Sequence, residues 1–472
     1  MLRRLVHEES GVALVFALIT IVVLSGLATA VSMEVTVNER NAGQSAAGDR
    51  AFALAELGMS YAAGYVYNAN ATHVRPSTSS TTFSQDGGSV TYYASTSDNV
   101  NFVATGVGTY SGVTRTVTEQ INDPLPVQTP NQTAWNYLYA SNPSGCTNLS
   151  GGVTVSVPFF TNGDFCLAGG SHFTGTQLQV GGNLTLAGGS NVGTSGTKLT
   201  TLNIVGASCT DNGTTVTTGT GVCDGNHASI YATSVGRTLN PSLTMPTANF
   251  ASTYSTQAGL TATGCPAGLL DGNGVMDNSQ VTATLTSALF SASSYDCKVG
   301  SNEIKWTPSG TCGSGASGTM QVTGTFYFDG SLDDKCGSVV YSGQASFYFT
   351  GGVKFEGGST FCGITNCTAS WNPDTNGIIM VADCWANSTG SVQITTKCAY
   401  DTGGSTIQIG LYDTTDYEID GGATNMGPVL STTMALAGGS STLIPFHTMP
   451  PGTPLNYDTS YPAASTPTNW NG

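Results

Sequence analysis

An uncharged apolar run near the amino terminus limits how this chain can fold more than any other feature. From Val12 to Met33 no residue is charged. As an α-helix, the stretch from Val12 to Val31 would be about 30 Å long, which matches the hydrocarbon core of a bilayer. The run is therefore predicted to span a membrane, and the question is whether the mature protein keeps it.

Two interpretations of this run lead to different proteins. Ala28-Thr29-Ala30 is a small-x-small signal behind an apolar segment with Arg3 and Arg4 in front, which is typical of a secretory signal peptide and predicts a start at Val31. Alternatively, Gly11 separates a short polar leader, residues 1–11, from an apolar run that is retained.

The sequence after the run favours retention. Residues 32–68 continue with Ala, Glu, Arg and Leu and contain no Pro. Apolar or small residues recur there near helical spacing among charged ones, at Val35, Ala42, Ala46, Phe52, Leu57 and Tyr61. One helix over residues 12–67, roughly 80 Å long, is predicted; a generic single-span anchor with a stalk is the alternative.

Four segments together resemble the amino terminus of a PilX-type type IV pilin, a family with a class III leader. They are the leader ending in Gly11, the run GVALVFALITIVVLSGLATA, Asn38-Glu39-Arg40, and AFALAELGMSYA at residues 51–62. The resemblance implies that a prepilin peptidase cuts after Gly11 and can methylate the new amino terminus, Val12. It also implies a single-pass protein of the bacterial cytoplasmic membrane with its carboxy terminus outside, assembled with other pilins and the pilus machinery into a surface filament.

A hairpin and a linker are predicted after the helix. Val103 to Val107 and Val113 to Val117 alternate with small polar residues around Tyr110-Ser111-Gly112, as in two half-buried strands of a pilin-like β region, residues 68–123. Residues 124–135 contain three prolines, which resist both helix and sheet and suit a linker.

The rest of the chain has the composition of an exported β-rich domain. Charged residues make up 9% of the chain, 39% of residues are hydrophobic, and there are 61 Gly. Typical soluble domains are about 25% charged, so a helical enzyme core is not expected, and the apolar content argues against disorder. A net charge of −16 with only 13 Lys and Arg excludes a nucleic-acid partner.

Internal repeats indicate the architecture of that domain. LAGGS occurs at residues 167–171, 186–190 and 436–440, the first two copies 19 residues apart, and FYF recurs at residues 326–328 and 347–349, 21 apart. Spacings near 20 suit one coil of a parallel β-solenoid. The predicted fold is therefore α+β: a long pilin-like helix and small β region, then a β-helix over residues 136–446 and a Pro-rich tail over 447–472. A β-sandwich is the alternative.

The cysteine count indicates disulfides. Twelve cysteines lie beyond the membrane segment, and an even number in an exported chain implies pairing. Neighbour pairing is the first hypothesis, although sequence does not fix connectivity: Cys146–Cys166, Cys209–Cys223, Cys265–Cys297, Cys312–Cys336, Cys362–Cys367 and Cys384–Cys398. Zinc is not predicted, because there are no paired C-x-x-C knuckles and His172 and His227 are isolated.

Enzyme activity is the alternative function for a β-helix. Asp329, Asp333 and Asp334 could serve glycoside hydrolysis as a polysaccharide-active enzyme would need, but cations are scarce and no Arg follows Arg237. A solvated acidic loop explains the three carboxylates better. The prediction is a non-enzymatic protein without a cofactor.

Carboxylates near residue 416 could hold an ion. Asp416, Glu418 and Asp420 alternate along a probable strand and share one face, with Asp413 close by, which is an oxygen-rich setting of the kind that Ca²⁺ prefers. This stays a hypothesis, as does a glycan or host surface as the ligand of the domain.

Phe16 makes a minor subunit the predicted role. Counted from Val12, it is the fifth mature residue, where the resemblance implies a glutamate in most major pilins. That carboxylate is thought to meet a neighbour's amino terminus at low dielectric. A chain without it, and with so large a domain, suits a few positions such as the tip of a pilus or an initiating complex, in assembly, adhesion or surface recognition.

Overall fold

The computed structural model divides the chain into two compact units. It describes residues 2–216, 223, 226–227, 229–270, 284–312, 315–335, 337–368, 370–384, 398–441, 444–465 and 470–471. Unit 1 comprises Met1–Thr129 and Asp458–Gly472, and unit 2 comprises Pro130–Tyr457. The chain therefore leaves unit 1, builds unit 2, and returns.

Unit 1 contains one helix, α1 (Leu2–Ala71), of 70 residues. At 1.5 Å per residue it is roughly 105 Å long. Its apolar side chains from Val12 to Val37 are exposed, whereas beyond Ala47 one face is buried, with Ala51, Ala55 and Val66 fully covered. The predicted single uninterrupted helix is confirmed, and it extends slightly past residue 67.

An antiparallel sheet covers the buried face of α1. Its strands are β1 (Thr81–Gln85), β2 (Gly88–Thr96), β3 (Asn101–Tyr110) and β4 (Val113–Asn122). Glycines let sheet and helix approach closely: a Cβ on Gly106 would lie 2.1 Å from the Ala55 carbonyl oxygen. The predicted hairpin is confirmed, since β3 pairs with β4 around Ser111 and Gly112, whose φ values are 47° and 79°.

Unit 2 consists mostly of short strands. From its start to Gly236 these are β5 (Val127–Asn131, which begins in unit 1), β6 (Leu138–Ala140), β7 (Cys146–Ser150), β8 (Thr154–Val155), β9 (Phe159–Thr161), β10 (Asp164–Leu167), β11 (His172–Phe173), β12 (Gln177–Val180), β13 (Leu184–Leu186), β14 (Asn191–Val192), β15 (Leu199–Ile204), β16 (Cys209–Asp211), β17 (Thr214–Thr215), β18 (Asn226–His227) and β19 (Ile230–Gly236).

The remaining strands follow a connecting segment. They are β20 (Ala262–Thr263), β21 (Tyr295–Val299), β22 (Asn302–Cys312), β23 (Gly315–Phe328), β24 (Leu332–Asp334), β25 (Ser338–Phe349), β26 (Val353–Phe355), β27 (Thr360–Cys362), β28 (Asn376–Ala382), β29 (Ala399–Asp401), β30 (Thr406–Ile407), β31 (Gly410–Asp413), β32 (Asp416–Asp420), β33 (Thr424–Asn425), β34 (Val429–Ser431), β35 (Thr433–Ala437) and β36 (Ser440–Ser441). Short helices are Thr133–Asn136 and Thr365–Cys367, both 3₁₀, α2 (Phe250–Ala258) and α3 (Thr286–Leu289).

Parallel pairing between successive coils makes unit 2 a β-solenoid. Leu167 pairs with Leu186 and Phe326 with Phe347 on adjacent parallel strands. The spacings of 19 and 21 residues are thus single coils, and the predicted parallel β-helix is confirmed while the sandwich alternative is wrong. Inward side chains from all coils form one continuous apolar core.

A double-glycine turn recurs in most coils. In LAGGS, Gly169 and Gly170 have φ values of 63° and 73°, a left-handed conformation that glycine adopts without strain. The same pair of positive φ values occurs at residues 151–152, 188–189, 357–358, 403–404 and 421–422. Each pair lets the chain turn a corner between an inward residue and the next short strand.

The order of coils in the stack differs from their order in the chain. β7, β10, β13 and β16 stack in sequence, and so do β26, β29, β32 and β35. β35 then pairs with β7, with Leu436 against Leu149, and β34 pairs with β6. The first coil of the unit therefore stacks on its last coil, in the middle of the solenoid.

A segment on the outside of the solenoid connects the two halves. The Asn240 carbonyl oxygen accepts from Gln179 Nε2 at 3.0 Å, and the Pro246 carbonyl oxygen accepts from the Tyr412 hydroxyl at 2.7 Å. Farther along, Phe250 packs edge-on against Tyr348. Residues 237–258, called the strap here, thus meet the coils in the order in which they are stacked.

Disulfides join near neighbours in the chain. The structure contains Cys146–Cys166, Cys209–Cys223, Cys265–Cys297, Cys362–Cys367 and Cys384–Cys398. Cys336 of the sixth hypothesised pair lies outside the described residues. The Cys209–Cys223 bridge lies at one end of the stack, and Cys265–Cys297 lies beside the antiparallel strands β20 to β22 at the other. Disulfides therefore lie near both ends of the stack.

The carboxy-terminal segment completes unit 1. Strands β37 (Asn456–Ser460) and β38 (Trp470–Asn471) follow the solenoid; β37 pairs with β5, and β38 adds to β4 as a fifth strand. The expectation that the prolines of residues 124–135 resist sheet is wrong for β5, which contains Pro130. A two-stranded ribbon has an edge where the missing N–H of proline costs no pairing.

Candidate functional site

The apolar part of α1 is a long exposed surface. Gly11 and Val12 lie within the helix, and the side chains of Val12, Phe16 and Val31 are each more than half exposed. The helix is long and apolar enough to cross a membrane, by length and composition. Such a surface needs to be covered, either by lipid or by other helices.

The three carboxylates considered for glycoside hydrolysis do not share one surface. Asp329 is buried and accepts a hydrogen bond from Thr350 Oγ1 at 2.9 Å. On β24, Asp334 lies in the core, whereas Asp333 faces outward, 3.2 Å from Lys335 Nζ. Alternation along a strand separates the last two residues to opposite faces. An acid and base acting on one bond would have to be on the same face.

Asp333 belongs to an outward network of charges instead. Lys335 also contacts Glu356 at 2.8 Å, and Lys354 Nζ lies 5.7 Å from the centre of the Tyr400 ring. The Tyr400 hydroxyl donates to Asp420 at 2.8 Å. Partial burial raises the pKa of the Asp333 carboxyl, although Lys335 opposes that rise. The arrangement pairs opposite charges along neighbouring coils.

The proposed calcium ligands are divided between the inside and the outside of the solenoid. Asp416, Glu418 and Asp420 alternate with buried residues along β32, so they do share the outer face. Asp413 is fully buried, where it accepts a hydrogen bond from Ser431 Oγ at 2.8 Å. Within the described residues, no group of three His, Cys, Asp or Glu side chains could hold a metal ion. Asp413 therefore does not share the outer face with the other three carboxylates.

The isolated histidines have ordinary positions. His172 Nδ1 lies 2.9 Å from Asn191 Oδ1 on the adjacent coil. His227 is in β18, and its side chain lies outside the description. The His172 contact joins two neighbouring outward side chains of the stack.

A buried acid that the sequence analysis did not single out lies in the core. Asp401 is 1% exposed, and its Oδ2 accepts a hydrogen bond from the Tyr417 hydroxyl at 2.7 Å, while its Oδ1 has no partner in the described chain. Burial raises the pKa of Asp401 to about 7 and that of Asp413 well above its usual range. The sequence could have indicated this position, because side chains alternate between the two faces of a strand and Asp401 lies two residues after the inward-facing Ala399.

Comparisons with known proteins give a structural likeness to a pilin. No family model matches the chain, and no curated protein matches it. Among solved structures, the competence-associated pilin ComZ from Thermus thermophilus is similar, with 12% sequence identity and a TM-score of 0.40. The likeness covers 90% of this chain and 97% of that chain. A TM-score of this size does not establish a shared fold.

Proposed function

We propose that the chain is a pilin-like subunit of a type IV pilus or related machine, anchored in a bacterial cytoplasmic membrane. One observation carries the proposal: α1 is exposed and uncharged from Val12 to Met33, and the same unbroken helix packs beyond Ala47 against an antiparallel sheet. A cleaved signal peptide would have no reason to continue into the packed helix of the mature domain. Its partners would be other pilins, the assembly machinery and a prepilin peptidase.

Processing at the amino terminus is the first test. Mass spectrometry of protein from the native host should find Val12 as the first residue, with or without a methyl group. Gly11→Leu should block this cleavage, whereas Ala30→Leu, which spoils the alternative signal, should leave it unchanged. A mature protein that begins at Val31 would contradict the proposal.

The role proposed for this subunit is a minor one, with the solenoid displayed for assembly, adhesion or surface recognition. Phe16 has no charge to offer a neighbour's amino terminus, and unit 2, Pro130–Tyr457, is a large domain to repeat along a filament. Quantitative proteomics of sheared filaments should place this chain far below the main pilin. If it were the most abundant subunit, or if its deletion changed neither piliation nor surface binding, the role would be wrong.

We further propose that the solenoid is not an enzyme. In support, Asp333 and Asp334 point to opposite faces, and the outward carboxylate of Asp333 is paired with Lys335. The full chain should release no reducing ends from acidic or neutral polysaccharides. Cleavage that disappears in Asp333→Asn would favour the alternative, a polysaccharide-active enzyme with a pilin anchor.

A further inference from the structure

A polar cavity lies on the outer face of three adjacent strands of the solenoid. Lys305 on β22 pairs with Gln321 on β23, which pairs with Ser342 on β25. Two residues farther along each strand, on the same face, a second row in the same register consists of Thr307, Thr319 and Val340. Neighbouring strands are about 4.8 Å apart, so the two rows form a compact grid. They line a cavity of about 350 Å³, within the range of small-ligand sites.

The floor of this cavity is rigid. Trp306, Met320 and Tyr341 alternate with the cavity residues on the same three strands, and each is 1% exposed in the core. The Trp306 indole N–H donates to the Ser291 carbonyl oxygen at 2.7 Å, which fixes the ring under the strand. The outward side chains are therefore presented from a packed sheet and not from a loop.

The ammonium of Lys305 has no ion pair in the part of the chain that the structure describes. The two carboxylates nearest in register, Asp296 and Glu303, are both held by Lys298, at 3.7 Å and 2.9 Å. Lys335 and Lys354 are likewise ion-paired. Among the described residues Lys305 thus forms no direct ion pair, although Asp296 lies opposite it on β21 and its charge also acts on the Glu303 carboxylate.

The neighbouring polar groups also lack partners. Among the described residues, no side-chain hydrogen bond is formed by Thr307, Thr319, Gln321 or Ser342, and all four are exposed. Three hydroxyls and one amide, each able to donate and to accept, therefore surround one point charge. A ligand that suits them has several hydroxyls and one anionic group.

We propose that this cavity binds a carboxylated sugar of an acidic polysaccharide, with the carboxylate at Lys305 and the ring hydroxyls at the Thr, Gln and Ser side chains. The proposal deepens the proposed function, since it rests on the solenoid being the displayed recognition domain. A neutral sugar would leave Lys305 without a partner. The single positive charge of Lys305 suits one carboxylate better than a phosphate group, which carries about −1.5 to −2 charges. The chain's distant negative charges are screened beyond roughly 8 Å at physiological salt.

Binding by the purified full-length protein in detergent tests this site. The probes are a tetramer of galacturonate and the same tetramer as its methyl ester, compared by isothermal titration calorimetry. A hydrogen bond between charged groups contributes about 1.5–3 kcal/mol, so the acid should bind about tenfold or more tightly than the ester. Lys305→Gln should abolish that difference, and Lys305→Arg should keep it.

Lys335→Gln is the matched control, because Lys335 is an exposed lysine that is already paired, with Asp333 and Glu356, and it follows β24, which belongs to a different sheet from β22. It should retain the preference for the acid. Equal binding of acid and ester, an unchanged Lys305→Gln variant, or an equal loss in both lysine variants would overturn the site. Tryptophan fluorescence, which reports on Trp306, verifies that the variants are folded. Cleavage after Gly11 is measured separately, so failure of the pilin role and failure of the sugar site give different results.

Discussion

Replacing Asp401 by asparagine should remove the part of the pH dependence of the solenoid's stability that comes from this one buried carboxyl. The carboxyl is fully buried, and its pKa is raised to about 7 by that burial, against the opposing effect of the Tyr417 hydroxyl. In an unfolded chain an aspartate has a pKa of about 3.9. Between these two values the folded state holds a proton that the unfolded state has released.

The sign and size of the effect follow from proton linkage. Because the folded state binds more protons, the free energy of unfolding decreases as pH rises, by about 1.4 kcal/mol for each pH step and each proton. From about pH 4 to about pH 7 the Asp401 contribution falls by roughly 4 kcal/mol. Below that window the Asp401 contribution is fully present, and above it the contribution is lost. Asp413, whose pKa burial also raises, adds a loss in the same direction.

The free energy of unfolding of the full chain is measured by urea titration at pH values between 4 and 8. Tryptophan fluorescence reports the unfolding of unit 2, because Trp135, Trp306 and Trp371 are buried there. Asp401→Asn keeps an acceptor for Tyr417 but cannot ionise. Between pH 4 and pH 7 the slope of its unfolding free energy against pH should be smaller by the contribution of about one proton. At pH 8 the variant should be more stable than wild type. Asp420→Asn, on the outer face, should keep the wild-type slope. A variant that is equally destabilised at every pH, with an unchanged slope, would refute the reasoning.

Three further changes test the packing. Leu149→Ala opens a cavity where the first and last coils meet, at the Leu436 pairing, and should lower the free energy of unfolding of unit 2 by about 2–5 kcal/mol in urea titrations; no change would mean that this junction carries no stability. Gly106→Ala should loosen α1 from its sheet, because the new Cβ would lie 2.1 Å from the Ala55 carbonyl oxygen; hydrogen exchange of β3 reports it, and Gly64→Ala, whose Cβ would meet nothing within 4 Å, is the control. Arg75→Gln should destabilise unit 1 by about 1.5–3 kcal/mol, since Arg75 lies 2.5 Å from the buried Asp123 carboxylate; an unaffected unfolding midpoint for unit 1 would contradict this.

The architecture was predictable because it repeats. LAGGS and FYF recur at the length of one coil, and the structure pairs those copies on adjacent strands, Leu167 with Leu186 and Phe326 with Phe347. The third LAGGS copy was harder to interpret. Its Leu436 stacks on Leu149 of LSGGV, which in turn stacks on Leu167, so all copies belong to one column. The general motif is an inward residue, one outward residue and then a double glycine, and it is present in the sequence beyond the LAGGS copies.

The sites were less predictable because each depends on which face a residue takes. Alternation correctly placed Asp416, Glu418 and Asp420 together on one side of β32. It did not extend to Asp413, because a turn separates that residue from β32 and leaves it inside. The Lys305 cavity could be inferred only in part. The FYF spacing indicates the parallel pairing of β23 with β25, but no repeat indicates the antiparallel pairing of β22 with β23 that brings Lys305 to the same face.

The order of the coils could not be read from the sequence either, and the reason is physical. Coils that share a glycine corner and similar inward residues present similar surfaces, so the repeats alone do not specify which coils become neighbours. The strap contacts coils of both halves. Its contacts with Gln179, Tyr412 and Tyr348 hold the amino-terminal half and the carboxy-terminal half at fixed positions along one line. Because the first coil meets the last in the middle, both ends of the solenoid lie away from the points where the chain enters and leaves it, and each end can carry its own antiparallel strands and disulfide. The strap therefore adds contacts to both halves of a permuted stack that is joined by the parallel pairing of β6, β7 and β8 with β34, β35 and β36.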